Sequence, residues 1–197
     1  MNYLAHLLLS GNDTELRIGN FIADSVRGKN LKRFPERVAQ GIMVHRMIDT
    51  FTDTHSIVRE SKDLIRTNYG LWSSVIVDLY YDHFLAANWS NYHDTELEEY
   101  TLDFYADLKE YWEILPPRIQ RFYPIMVEHN WIYSYRTVQG MKHILYQMNQ
   151  RTKGKSNMQL AGVELIENYD ALQKQFTAFF EELQTYSKNI IHQLDLD

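Results

Sequence analysis

The sequence predicts an all-α protein, a helical bundle folded as one domain over residues 1–197. Three observations lead there. Long segments repeat their apolar residues with a period near 3.6. No stretch alternates apolar and polar residues in the manner of a strand, and nothing resembles a βαβ succession. Only eight glycines and four prolines interrupt the chain. With 45% hydrophobic residues and fourteen tyrosines, 197 residues suffice to close one core.

The elements follow in order. A short helix is expected over 2–9, then a turn at Ser10-Gly-Asn-Asp13, then a helix over 15–26 ended by Gly28. Pro35 sits at the first turn of a long helix over 36–54, where a missing N–H costs little, and a bend leads into 57–68. Gly70 opens a helix over 72–90. An acidic helix over 94–114 stops at Pro116-Pro117, and helices over 118–133 and 135–150 follow. Thr152-Lys-Gly-Lys-Ser-Asn157 reads as a loop before one long final helix over 160–192.

Two helices break their own apolar stripes. In Gly41-Ile-Met-Val-His45-Arg-Met-Ile-Asp49-Thr-Phe-Thr-Asp53, the residues Val38, Ile42, His45 and Asp49 share one face. Two apolar residues turn that face inward, and it then carries an imidazole and a carboxylate. A buried carboxylate needs a partner, and a metal ion beside a histidine one turn away supplies it. In Ser74-Val-Ile-Val-Asp78-Leu-Tyr-Tyr-Asp82-His83, Val75, Asp78, Leu79, Asp82 and Ala86 form a second such stripe. Its two acids, one turn apart, repel unless one is protonated or a cation lies between them.

His6, among leucines, and Asp24, one turn after Asn20, extend the set. Taken singly, a core histidine and a helix-end acid bonded to Arg27 or Lys29 explain them without any ligand. Taken together, His6, Asp24, His45, Asp49, Asp78, Asp82 and His83 point to a shared polar site. Imidazoles and carboxylates without thiolates suit Mn²⁺, Fe²⁺, Mg²⁺ or zinc. A hard divalent ion there suits hydrolytic phosphate chemistry, lowering the pKa of water and shielding phosphoryl oxygens, with Arg27, Arg46 or Arg136 to hold the phosphate. The sequence has no Walker loop, dinucleotide fingerprint or serine nucleophile motif.

Bulk charge narrows the partner. The net charge of −6 argues against nucleic acid, yet Leu115–Lys155 holds Arg118, Arg121, Arg136, Lys142, Arg151, Lys153 and Lys155 against Glu128 alone. A basic face on an acidic protein suits an acidic or phosphorylated partner; a solvated surface is the plainer reading. The absence of cysteine excludes a disulfide framework, a zinc thiolate site and a thiol nucleophile, and fits the cytoplasm. The opening segment lacks a basic n-region, and its apolar run is too short to export the chain or insert in a membrane.

Several stretches resemble the acyl carrier protein phosphodiesterase family: Met1-Asn-Tyr-Leu-Ala-His6-Leu7, Gly19-Asn-Phe-Ile-Ala-Asp24-Ser-Val-Arg-Gly28, the His45–Asp49 segment, Val58-Arg59-Glu60, and Val77-Asp78-Leu-Tyr-Tyr-Asp82-His83-Phe84-Leu85. Trp131-Ile-Tyr-Ser-Tyr-Arg136, Met148-Asn-Gln-Arg151 and Tyr169-Asp-Ala-Leu172 match more loosely. The resemblance implies an HD-domain-like all-α core, preference for Mn²⁺, and hydrolysis of the phosphodiester joining 4′-phosphopantetheine to a serine of holo-acyl carrier protein. It makes His45 and Asp49 a variant His-Asp pair. Asp24 with Asp78 or Asp82 would complete the metal site, and His6 and His83 would act as ligand, acid or support. An acidic carrier would meet the basic face. Two other readings share these residues: an HD-like phosphohydrolase of a nucleotide or small phosphate ester, and a non-catalytic module that binds carrier protein.

Overall fold

The computed structural model describes residues 1–196. The described residues are helical and contain no strand. The helices are α1 (Tyr3–Leu9), α2 (Thr14–Ile22), α3 (Glu36–Thr54), α4 (Ser56–Tyr69), α5 (Ser73–Ala87), α6 (Leu97–Glu110), α7 (Pro117–Glu128), α8 (Val138–Arg151), α9 (Gly162–Glu167) and α10 (Tyr169–Leu194). No helix among the described residues is long and apolar enough to cross a membrane.

The ends follow local chemistry. Asp13 caps α2 by accepting the Leu16 N–H at 2.9 Å, and Thr137 caps α8 by accepting from Gly140. The helix expected to run to 133 stops at Glu128. Asn130 takes a left-handed φ of 38°, and the Trp131 N–H turns back to the Met126 carbonyl at 3.0 Å. The expected single final helix is two. At Asn168 both the backbone N–H and the side-chain amide bond the Glu164 carbonyl, which ends α9 before α10 begins. Periodicity continued through this junction because a tight reset hardly disturbs a 3.6-residue pattern.

Helix α5 is the central strut, with Ile76, Val77, Leu79, Tyr80, Tyr81, Phe84 and Leu85 all buried, and it packs against α1, α4, α8 and α10. It reads as nearly continuous apolar sequence because it is covered on most sides. Helices α2 and α3 cross backbone to backbone. A Cβ at Gly19 would overlap the Val38 carbonyl oxygen and come within 2.9 Å of the Gly41 Cα, and a Cβ at Gly41 would overlap the Leu16 carbonyl. Glycine at both positions therefore sets how near Asn20 and Asp24 lie to His45.

Candidate metal centre

Four polar residues from three adjacent elements converge beside a cavity of about 360 Å³. His6 comes from α1, Asp24 from the 3₁₀ turn after α2, and His45 and Asp49 from successive turns of α3. Each Asp49 oxygen faces one imidazole: Oδ1 lies 3.2 Å from His6 Nε2 and Oδ2 lies 3.1 Å from His45 Nε2. Asp24 Oδ1 is 3.4 Å from the same His45 nitrogen. The two rings stack with centroids 4.0 Å apart. One ligand atom from each of His6, His45 and Asp49 falls within 4.8 Å of the others, close enough to share one ion.

The hydrogen bonds around the cluster fix what its atoms can do. The Asn20 amide donates from Nδ2 to the His6 carbonyl at 3.0 Å and to Ser10 Oγ at 2.8 Å. Its Oδ1 is thereby left as acceptor toward His45 Nδ1, 3.2 Å away. One His45 proton is thereby fixed on Nδ1, so the proton facing the carboxylates on Nε2 is the one a metal ion would displace, leaving the tautomer a metal ligand needs. His6 is almost fully buried, and neither of its ring nitrogens has a hydrogen-bond partner among the described residues, although Asp49 lies within reach of Nε2. An imidazole left unsatisfied beside a carboxylate fits a cation-binding role.

Electrostatics agree. Burial pushes the His6 imidazole down to about 4, the charge of His45 adding to the effect and Asp49 opposing it, so the ring is neutral at pH 7. Burial acts in the same direction on His45, but its contacts with Asp24 and Asp49 outweigh that and hold it up to about 9. Burial would raise Asp49, yet the two imidazoles keep it far below the usual carboxylate range, and the His45 contact also draws Asp24 down. The cluster stabilises positive charge between its carboxylates, which a divalent ion provides in place of a proton. Two imidazoles with carboxylates and no thiolate fit such an ion.

The other expected site residues make contacts of their own. The fully buried Asp82 carboxylate accepts the Leu4 N–H at 2.8 Å, the Asn2 N–H at 3.2 Å and the Ala5 N–H at 3.3 Å, capping α1. It broke its stripe to hold a helix end. Asp78 borders the cavity but pairs with the Met1 amino group at 3.0 Å. His83 is buried and bonded through Nδ1 to the Tyr135 carbonyl at 2.7 Å and through Nε2 to the Tyr169 hydroxyl at 3.1 Å, and it does not line the cavity.

The arginines expected to bind phosphate do not line this cavity. Arg46 donates to the carbonyls of Val26 and Gly28, tying down the loop after Asp24. Arg136 lies over the Tyr133 ring, and exposed Arg27 does not line the cavity. Arg118 and Arg151 stand on the cavity wall, with Arg121 beside them in an adjoining hollow. The basic run of 115–155 contained all three. Nothing in the sequence said that α7 and α8 would bring them to the His-Asp cluster.

The comparisons agree along the chain. The profile of the family described as acyl carrier protein phosphodiesterase matches residues 1–183. An acyl carrier protein phosphodiesterase from Escherichia coli O6:H1 is 33% identical over 187 residues, which is 93% of this chain and 95% of that protein. Proteins of the same name from Enterobacter sp. strain 638 and Salmonella agona are 28% and 29% identical, with 96% and 93% of this chain covered and 98% and 95% of those proteins. No solved structure matches significantly. The chain belongs to the acyl carrier protein phosphodiesterase family.

Proposed function

We propose that the protein is a metal-dependent phosphodiesterase that hydrolyses the 4′-phosphopantetheine–serine linkage of holo-acyl carrier protein, leaving the apo-carrier and free 4′-phosphopantetheine. The observation that carries this reading is the Asp49 carboxylate set between His6 and His45, one oxygen to each imidazole. These three residues would hold a divalent ion, Mn²⁺ by the family resemblance with Mg²⁺ or Fe²⁺ as alternatives, and Asp24 would complete the set or sit next to it. When bound, the ion would make a water acidic enough to attack near neutral pH and would offset charge on the phosphoryl oxygens.

The chain's own groups would do the rest. Asn20 would keep the His45 lone pair on the ion. Asp24, ionised and the most exposed of the four, would accept a hydrogen bond from the attacking water and orient it. Arg118 and Arg151 would draw the diester to the cavity and counter its negative charge. The seryl oxygen, leaving at the open side, would take its proton from solvent water.

The test is mass spectrometry of purified holo-acyl carrier protein incubated with the protein, with and without Mn²⁺. Loss of the phosphopantetheine group only with metal, and its absence in Asp49→Ala, is the expected result. No loss with Mn²⁺, Mg²⁺ or Fe²⁺ would overturn the assignment.

A further inference from the structure

A second hollow of about 240 Å³ opens beside the cavity of the His-Asp cluster. Trp131 and Arg151 line both, and Phe122 lines this hollow together with the basic one at Arg118 and Arg121. The shared end is therefore aromatic and basic: the Arg151 guanidinium lies over the Trp131 ring at 5.1 Å, and Phe122 meets the same ring edge-on at 5.6 Å. Ile125 continues the apolar wall. Beyond Ile125 the lining takes in His129, Ser134, His143 and Gln147; the Ser134 hydroxyl donates to the Trp131 carbonyl at 2.6 Å, and the Gln147 amide meets His143 Nε2 at 2.9 Å.

We propose that this slot receives the prosthetic arm of the substrate, with the phosphate at Arg151 and Arg118 and the arm running past Trp131 toward Ser134 and Gln147. The inference rests on the phosphodiesterase reading and adds to it where the substrate lies. The aromatic and basic chemistry of the shared end matches the start of the arm. Next to its phosphate the arm carries a carbon bearing two methyl groups, which suits the Trp131, Phe122 and Ile125 surface. Amide groups come next, within the part of the hollow that Gln147 and His143 line. A folded carrier protein cannot enter a hollow of this size, so the carrier would stay at the mouth, over the exposed arginines. Burying the dimethyl group against the indole also explains how one protein could prefer this arm to a bare phosphate ester.

Ile125 is 54% exposed on α7, so Ile125→Trp fills the slot without emptying the core. Calorimetry of Mn²⁺-loaded protein with 4′-phosphopantetheine, and separately with inorganic phosphate, measures the slot apart from turnover. The wild type is expected to bind 4′-phosphopantetheine at least tenfold more tightly than inorganic phosphate. Ile125→Trp is expected to lose that margin while still binding inorganic phosphate, and its KM for holo-carrier is expected to rise. Equal binding of 4′-phosphopantetheine by variant and wild type would overturn the slot, as would a wild type that shows no preference over phosphate. A wild type that binds the arm tightly yet releases none from holo-carrier would leave the slot standing and remove the proposed reaction.

Discussion

His45 owes its availability to Asn20. Once the Asn20 amide has donated to the His6 carbonyl and to Ser10, only its oxygen remains to meet His45 Nδ1, so a hydrogen bond one step back from the proposed metal site decides which nitrogen can release its proton to an ion. Asn20→Ala is therefore expected to weaken Mn²⁺ binding by about 10- to 100-fold, the usual cost of removing such support. Titration of the metal-free variant by calorimetry checks this, with circular dichroism showing that the helices persist. His45 also fixes a pH dependence. Its folded pKa, about 9, is raised above the ordinary 6.5, so its contribution is complete below pH 6.5 and drains away as pH climbs toward 9. The loss for the metal-free protein is about 2–3 kcal/mol, read as a falling Tm across that window. Asp49, depressed by the same contact, stays ionised throughout and adds no slope there. Loaded with Mn²⁺, the protein should show no such fall, because the ion binds the deprotonated ring.

These residues were legible as types and spacings in α3, where His45 and Asp49 interrupt an otherwise apolar face. Asp82 interrupted its face in the same way and proved to serve backbone amides. A periodicity argument finds a buried acid but not its partner, since an ion and a row of helix N–H groups satisfy a carboxylate equally well.

At the scale of elements, the site depends on how α1, α2 and α3 approach. The α2–α3 crossing tolerates nothing larger than glycine at 19 and 41. Gly41→Ala should force the helices apart and cost about 1–3 kcal/mol, seen in denaturant unfolding, together with weaker metal binding because Asn20 and His45 separate. Asp82→Asn should cost a similar amount, since its amide nitrogen would face an N–H donor at the start of α1. Helix existence and most ends were readable from period and punctuation. The breaks at Asn130 and Asn168 were not, because asparagine interrupts a helix only when its neighbours supply the closing bonds.

Across the whole molecule, an overall charge of −6 coexists with Arg118, Arg121 and Arg151 gathered at the mouth of the cavity. A local field of that sign steers an acidic partner even on an acidic protein, and salt screens it. Raising ionic strength from about 0.05 to 0.5 M should increase KM for holo-carrier with little change in kcat. Arg121→Glu should reproduce the KM effect at low salt, in steady-state assays. The positions of these arginines were hidden in the sequence because surface placement depends on how α7 and α8 turn back, which no stripe of apolar residues in either helix records alone.

Helix α1 is seven residues long, too short to persist in water unaided, and it is pinned by a carboxylate that lies 76 positions beyond His6. All four clustered side chains come from the first fifty residues, yet one of them is positioned only after α5 has assembled with the rest. A divalent ion is therefore expected to bind a scaffold already folded and not to nucleate it. Prolonged dialysis against a chelator should silence the enzyme while leaving its far-ultraviolet dichroism intact, and readdition of Mn²⁺ should restore turnover at the speed of diffusion and not of refolding. Collapse of the dichroism on chelation would show that the metal organises the chain.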